Sequence, residues 1–189
     1  GDFLSWTINL VEAKKLVISD LYLDRLDLIK GELAKLEHVI VMQTGAQEGP
    51  DPSMAWEPLA ELMAATDGEP DGVSYSWTDD ARIMFTSGTT GRSKGVIKQN
   101  AADYFSARGL LEVVSATAGK SVESLEEDTF FSCLPLFHSN AQVLSGYPAL
   151  VAGGRVAYVE RFSSSRFWQQ VIDADATVFN SIGAVSYFI

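Results

Sequence analysis

The chain has 189 residues, of which 47% are hydrophobic and 11% aromatic, so it carries enough apolar side chains to form a packed core. This composition excludes an intrinsically disordered tail. The 25 acidic side chains outnumber the 14 basic ones, and the formal net charge is -11. Such a charge excludes a surface that neutralises nucleic-acid phosphates or lies on anionic lipid, so any anion must be bound locally.

The scarce residue types favour a soluble protein of the reducing cytoplasm. Cys133 has no internal disulfide partner, and with only His38 and His138 the sequence lacks the spacing of a zinc site, so we expect no metal site in it. No stretch approaches the roughly 20 apolar residues of a membrane span, and the N-terminus does not resemble a signal peptide. Gly1 in place of Met and an apolar C-terminal run favour a piece of a longer polypeptide.

Residues 1–80 predict an α/β crossover unit followed by a long loop. Apolar runs at 16–19 and 38–42 are typical of buried strands. Between them Asp20 stands at a helix N-cap position, and leucines recur every three to four residues up to Leu36, which predicts one amphipathic helix. A strand, a helix and a second strand favour a right-handed parallel crossover. Further on, Ser53 is predicted to cap a helix within the Gly- and Pro-rich loop.

Residues 81–189 predict strands that alternate with helices, which is typical of a layered α/β fold with a largely parallel sheet flanked by helices. The predicted strands are 81–85, 96–98, 129–133, 155–160 and 177–180. The predicted helices are 100–118 with Asn100 as its cap, 141–151, 163–174 with Ser163 as its cap, and one that begins near Ile182.

A loop directly after the strand at 81–85 has the composition of an anion site. Residues 86–95 read Thr-Ser-Gly-Thr-Thr-Gly-Arg-Ser-Lys-Gly. Glycines tolerate positive φ, so several backbone N–H groups can converge on one phosphate, while the hydroxyls add donors and the lysine adds charge. Donors held in this way stabilise a departing pyrophosphate. The predicted phosphate-binding residues are Thr86, Ser87, Gly88, Thr89, Thr90, Gly91, Lys94 and Gly95.

The same patterns have several other interpretations. Many Ser/Gly/Thr stretches are surface turns that bind nothing. A nucleoside-triphosphatase P-loop is disfavoured, because Ser93 stands where its second glycine belongs and Gly95 where its magnesium-binding hydroxyl belongs. A Cys133–His138 nucleophile is disfavoured too, since a cysteine in an apolar strand is usually inert. The turns that serine hydrolases and Rossmann dehydrogenases require do not occur.

The order Thr-Ser-Gly-Thr-Thr-Gly-x-x-Lys-Gly-Val at 86–96 resembles the signature loop of the adenylate-forming superfamily, which includes acyl-CoA synthetases. Ser93 departs from the proline that is frequent there, which costs rigidity but no ligand-binding group. Leu-Pro-Leu-Phe-His-Ser-Asn at 134–140 resembles the family's next motif in its acyl-CoA synthetase form. In those relatives the residue that matches His138 lines the meeting point of acyl substrate, nucleotide and thiol.

The resemblance implies the large N-terminal, AMP-binding domain of an acyl-CoA synthetase-like enzyme. Residues 1–80 would supply the crossover unit, and residues 81–189 the phosphate loop and part of the acyl pocket. The implied catalytic residues are His138 and Lys94. The implied substrate-binding residues are Phe137, His138, Asn140, Asn180, Gly183 and Ala184. An ordinary core role explains the last segment equally well, and a half-buried structural imidazole is the alternative for His138.

The implied reaction is formation of an acyl-adenylate from ATP and a small carboxylic or fatty acid, then of a coenzyme A thioester. The resemblance implies Mg²⁺ with ligands mostly outside this chain, and a C-terminal domain that is absent from it. We expect these residues alone to be inactive, and an open sheet edge to favour self-association. A non-catalytic phosphate-binding or scaffolding module that retained the loop is the competing hypothesis.

Overall fold

The computed structural model describes residues 2–45, 50, 53–65, 68, 72–86 and 92–189. The described residues form two compact units. The first contains those within 1–74 and 87–94, and the second contains those within 75–86 and 95–189. This division falls near the boundary predicted at residue 80 but returns to the first unit for part of the phosphate loop.

The first unit is a three-stranded parallel sheet with short helical segments. Helix α1 (Asp2–Leu10) precedes strand β1 (Lys15–Ser19), helix α2 (Leu23–Asp27) and strand β2 (His38–Met42). Strand β3 (Trp56–Pro58) and helix α3 (Leu59–Ala65) complete it. The strand order is β1-β2-β3, and both pairings are parallel. The parallel crossover predicted between β1 and β2 is therefore confirmed.

The single helix predicted between β1 and β2 is wrong. A 3₁₀ turn at Asp20–Tyr22, the five-residue α2 and a second 3₁₀ turn at Lys30–Glu32 occupy its place. The buried side chains Leu23 and Leu26 belong to α2, and the buried Ile29 precedes the second 3₁₀ turn, which contains Gly31, a poor helix former. Together with Leu33, Val39 and Val41 these three buried side chains form the core of this unit.

Two predicted caps in this unit are also wrong. Asp20 does not cap a helix. Its carboxylate is fully buried and accepts hydrogen bonds from Thr44 N (2.7 Å), Thr44 Oγ1 (2.6 Å) and Gly45 N (2.9 Å), which ties the end of β1 to the chain after β2. Ser53 starts no helix either, because Pro58 lacks an N–H and constrains the residue before it, and the chain forms β3 instead.

The second unit begins with a β-hairpin and a long helix. Strand β4 (Asp80–Phe85) pairs antiparallel with β5 (Gly95–Gln99), and helix α4 spans Asn100–Ala118. The N-cap of α4 is Gln99 rather than the predicted Asn100. Asn100 is instead the first helical residue, and its side-chain amide donates to Ser76 O at 3.0 Å. The hairpin is the antiparallel exception to the largely parallel arrangement.

A second parallel sheet follows, with the order β7-β6-β8. Strand β6 (Thr129–Ser132) is buried throughout and lies between β7 (Arg155–Tyr158) and β8 (Val178–Phe179). Helix α7 (Phe167–Asp173) begins four residues later than predicted, since Ser163 and Arg166 form a turn before it. Helix α8 (Gly183–Phe188) ends the chain.

The helix predicted at 141–151 has a π-helical interior. Helix α5 (Ser139–Ala141) leads into a π segment at Gln142–Gly146, and α6 (Tyr147–Ala152) follows without a break. The N–H of Tyr147 donates to Gln142 O, five residues back, which is the hydrogen-bond pattern of a π turn. Such turns are rare and are frequent at functional sites.

Two apolar clusters form the interior of this unit. One surrounds Phe131 and Phe167, whose rings meet edge to face at 5.6 Å, and the other surrounds Leu111, Leu125 and Phe130. Within the described ranges, no helix is both long and apolar enough to cross a membrane.

Candidate functional site

The two ends of the predicted phosphate loop meet at the hairpin of the second unit. Phe85, the last residue of β4, pairs directly with Gly95, the first residue of β5. Thr86 follows Phe85 and is exposed. The chain therefore leaves the sheet at residue 86 and returns at residue 95. Five of the predicted site residues lie outside the described residues: Ser87, Gly88, Thr89, Thr90 and Gly91.

The structure gives Gly95 a steric role, whereas the sequence predicts that its conformational freedom matters. Its φ is not among the positive values of the chain, so the predicted freedom of backbone conformation is not what this position uses. A Cβ built on Gly95 would lie 2.8 Å from Ile83 Cγ2 and 3.7 Å from the Phe85 ring. Glycine therefore leaves room for the Ile83 side chain of the neighbouring strand, which would have to shift if a side chain were added here.

Lys94 belongs to the first unit together with Arg92 and Ser93. Lys94 is exposed, whereas Ser93 is buried, with 3% of its surface accessible. The Arg92 guanidinium lies 5.9 Å from the centroid of the Trp6 ring, within the range of a cation–π interaction. An exposed ammonium suits the predicted contact with an anion in solution.

The second motif lies at the carboxyl edge of the parallel sheet in the second unit. His138 occupies the N-cap position of α5 with an extended backbone, and its N–H donates to Pro135 O at 3.0 Å. Its imidazole is exposed and lies 4.5 Å, between ring centroids, from Phe137, which is itself 73% exposed. The alternative of a half-buried imidazole bonded to backbone does not fit this exposure. Both rings are accessible to a substrate.

Asn180 joins the same edge from the neighbouring strand. It follows β8, which pairs parallel with β6, so the chain segments after both strands leave the sheet on the same side. Its amide nitrogen donates to Leu144 O at 3.2 Å and to Ser145 Oγ. The Oδ1 atoms of Asn140 and Asn180 are buried and find no hydrogen-bond partner in the described part of the chain. Asn180 thus holds the π segment that follows the His138 motif.

Tyr158 holds the π segment from the other side of the sheet. Its hydroxyl donates to Ala141 O at 3.3 Å, and a Cβ on Gly146 would collide with that hydroxyl. Glycine is therefore needed at 146 for close approach. Burial raises the pKa of the Tyr158 phenol, and Tyr147 nearby raises it further. Tyr158 is neutral at physiological pH and acts as a hydrogen-bond donor.

The remaining predicted acyl-pocket residues lie at the start of α8. Gly183 is exposed and nothing lies within 4 Å of a Cβ built on it, and Ala184 is exposed as well. Only Val185 of this helix is buried. The structure therefore places Asn180 against the π segment but leaves Gly183 and Ala184 on an open surface.

Cys133 is a buried free thiol at the end of β6. Burial raises its pKa, so its thiolate is disfavoured. This property argues against the Cys133–His138 nucleophile, because a reactive cysteine needs a lowered pKa.

An ion pair that the sequence interpretation missed lies behind this edge. Arg82 of β4 contacts Asp103 of α4 through NH1–Oδ2 (2.5 Å) and NH2–Oδ1 (2.7 Å). Its guanidinium also donates to the Tyr147 hydroxyl and lies 5.0 Å from the centroid of that ring. A pocket of about 300 Å³ lies beside it. The sequence signal was a lone arginine in an apolar strand.

Comparison with known proteins identifies the family. The family model described as "AMP-binding enzyme" matches residues 2–188 of this chain. A medium/long-chain-fatty-acid–CoA ligase, FadD6 of Mycobacterium tuberculosis, is 34% identical over 111 residues, which is 59% of this chain and 17% of that protein. A crotonobetaine/carnitine–CoA ligase of Salmonella paratyphi B is 33% identical over 113 residues, which is 58% of this chain and 20% of that protein.

The fold is shared with a solved ligase. The anthranilate CoA ligase AuaEII, in complex with anthranoyl-AMP, superposes with a TM-score of 0.73 at 18% identity, over 94% of this chain and 32% of that one. The chain belongs to the AMP-binding enzyme family, whose matched members are adenylate-forming acyl-CoA ligases. It spans about a third of the length of the solved ligase and about a fifth of the curated relatives.

Proposed function

We propose that this chain is the nucleotide- and acyl-binding part of an ATP-dependent carboxylic acid–CoA ligase. A carboxylate oxygen of the acid attacks the α-phosphorus of ATP, the bond to the β-phosphate oxygen breaks, and pyrophosphate leaves. The sulfur of coenzyme A then attacks the acyl carbonyl, its proton is released, and AMP leaves. Small carboxylic or fatty acids are the proposed substrate class, and the cytoplasm is the proposed location.

The observation that carries the proposal is the direct pairing of Phe85 with Gly95. This pairing holds together the two ends of a segment whose sequence contains three glycines, five hydroxyl side chains and two cations between residues 86 and 95. A short connection of this composition presents backbone N–H groups and hydroxyls to one point in space. Hydrogen bonds to a phosphate at that point disperse the charge that develops on the leaving pyrophosphate.

In this proposal Thr86, Ser87, Thr89 and Thr90 donate from hydroxyls, and Lys94 supplies the compensating charge. The proposal assigns the Mg²⁺ that accompanies ATP to the nucleotide phosphates and to protein ligands mostly outside this chain, as the family resemblance implies.

On the acyl side, His138 and Phe137 present exposed rings at the sheet edge where ligands of parallel α/β folds bind. The proposal assigns to His138 the contact with the reacting acyl group and the entering thiol. Phe137 and Asn140 flank it, and Asn180 sets the wall of the pocket through the π segment. Gly183 and Ala184 would border the acyl chain.

Lys94→Ala tests the proposal in the intact protein. Loss of one preorganised contact to the leaving group should lower acid-dependent exchange of pyrophosphate into ATP by about 10²- to 10³-fold. Lys35→Ala, which removes another exposed lysine, is the matched control and should leave the rate unchanged. Absence of any acid-dependent exchange in the wild-type protein, across a broad panel of carboxylates, would refute the ligase assignment.

The second candidate is a module that binds phosphate without catalysis. In that case ATP binds, Lys94→Ala weakens binding, and no pyrophosphate exchange occurs with any acid. The exchange assay therefore separates the two candidates.

The 189 residues alone are proposed to be catalytically inactive and to self-associate through a sheet edge. Strands β7 and β8 flank the second parallel sheet, and no further strand pairs with either among the residues the structure describes. Unpaired edges promote association between chains. Thioester formation by the isolated chain, or a monodisperse monomer in light scattering at high concentration, contradicts the corresponding part of the proposal.

A further inference from the structure

The contact between Arg82 and Asp103 links strand β4 to helix α4 inside the second unit. Both side chains are largely buried, with 19% and 13% of their surfaces accessible. Two parallel N–H···O bonds give the planar guanidinium and the carboxylate one relative orientation. Asp103 alone balances the charge of Arg82, so the ion pair needs no additional group to neutralise it.

Tyr147 is nevertheless a third partner. The Arg82 guanidinium donates to its hydroxyl and lies over its ring. Tyr147 is the first residue of α6, and its N–H donates the π hydrogen bond to Gln142 O. It therefore ends the π segment whose other contacts come from Asn180 and Tyr158.

The contact between Arg82 and Tyr147 lies close in sequence to both candidate binding segments. Thr86, where the phosphate loop begins, lies four residues further along the same chain segment. Tyr147 lies nine residues after His138, on the helix that continues from the His138 motif. The side chain of Arg82 thus connects β4, which leads into the phosphate loop, with α6, which follows the His138 motif.

Stability alone does not account for this arrangement. The Nε–H of Arg82 is buried and has no acceptor in the described part of the chain. A buried donor without a partner is unfavourable, and such groups are uncommon in native proteins. The guanidinium is therefore oriented so that its two terminal nitrogens meet Asp103 and Tyr147, while its Nε–H has no acceptor among the described residues.

We propose that Arg82 is a positioning residue that couples the phosphate loop to the π segment behind His138, with Tyr147 as the receiving side chain. The inference rests on the proposed function, because it takes the loop at 86–95 to bind a nucleotide. Occupation of the loop then restrains β4, and Arg82 transmits the restraint to residues 142–147.

Hydrogen exchange in the intact protein tests this coupling without any catalytic step. The probe is α,β-methylene-ATP, which cannot release pyrophosphate. In the wild type, saturation with the probe should slow amide exchange at 86–95 and also at 142–147, the latter by about fivefold, a typical size for coupling between two sites. A purely structural role predicts no change at 142–147.

Two mild substitutions interrupt the path. Tyr147→Phe keeps the ring and removes the hydroxyl, and Arg82→Lys keeps the charge and loses the planar fork. Each should retain slowing at 86–95 and lose it at 142–147. Tyr187→Phe and Arg108→Lys are matched controls on exposed side chains and should behave as the wild type does.

The outcomes distinguish failure of the proposed nucleotide site from failure of the proposed coupling. If the probe slows no exchange at 86–95, the proposed nucleotide site is wrong and the coupling falls with it. If exchange slows at 86–95 but not at 142–147 in the wild type, the coupling is overturned while the nucleotide site stands. Equal slowing at 142–147 in the wild type and in both variants also overturns it, since the restraint would then travel by another route.

Discussion

Substitution of Gly95 by alanine tests the steric contact between Gly95 and Ile83 at the end of the phosphate loop. The new Cβ would lie 2.8 Å from Ile83 Cγ2, closer by about 0.7 to 1.2 Å than an ordinary contact between carbon atoms. Overpacking of this kind costs about 1 to 3 kcal/mol. The lower end applies because Ile83 is 43% exposed and its methyl group can move outward.

A smaller opposing effect comes from the unfolded chain. Alanine has fewer conformations to lose than glycine, which stabilises the folded protein by about 0.4 to 1 kcal/mol where φ is compatible. The net destabilisation of Gly95→Ala should therefore be small, about 0 to 0.6 kcal/mol. Gly183→Ala is the control, because nothing lies within 4 Å of its Cβ, and it should not destabilise the protein.

The double variant with Ile83→Ala decides the cause. Removal of the Ile83 methyl leaves room for the new Cβ, so the pair should be less destabilised than the sum of the single variants, by about 1 kcal/mol. Urea denaturation followed by tryptophan fluorescence measures the three free energies of unfolding. Additivity within about 0.5 kcal/mol would refute the steric explanation, since two residues that do not collide change the free energy of unfolding independently.

Two further variants probe buried polar groups. Asp20→Asn can keep an oxygen for the N–H groups of Thr44 and Gly45, which both donate to Oδ2, while its amide nitrogen replaces Oδ1 opposite the Thr44 hydroxyl. Loss of the charged acceptor should cost about 1 to 3 kcal/mol in urea denaturation, and a loss below about 0.5 kcal/mol would show that the carboxylate is not needed. Tyr158 has a raised folded-state pKa, so its contribution to stability is present below its ordinary pKa of about 10 and is lost as pH rises through the raised value. Thermal unfolding at stepwise alkaline pH should accordingly show a shallower loss of stability for Tyr158→Phe than for the wild type, and equal slopes would contradict burial of the phenol.

Strands were predictable from sequence because each is a short apolar run between polar turns. β1, β2, β4 and β6 all lie within one residue of the predicted ranges. Helix bounds were less predictable, since local turns compete on equal terms with the α-helix. Leu23 and Leu26 lie in α2, as their spacing predicts, whereas Gly31, a poor helix former, lies in the 3₁₀ turn that replaces the rest of the predicted helix. Pro58 was the overlooked signal that excludes a helix starting at Ser53.

A candidate site could be proposed from sequence only where its residues lie close together in the chain. The loop at 86–95 and the motif around His138 are contiguous, and the roles predicted for their residues stay predictions. Contacts across long separations were not predicted. Arg82, Asp103 and Tyr147 come from three elements, and a charge in the first turn of a helix, such as Asp103, is ordinarily attributed to the helix dipole.

The π segment has a consequence for how relatives of unequal length should be aligned. A π turn encloses one residue more than an α turn, so deletion of a single residue from Gln142–Gly146 would restore regular α-helix while α5 and α6 keep their facing directions. A shortened homologue would therefore retain the same buried face but lose the carbonyl that Asn180 binds. Gaps placed here mark gain or loss of a polar anchor rather than a shift of the whole helix.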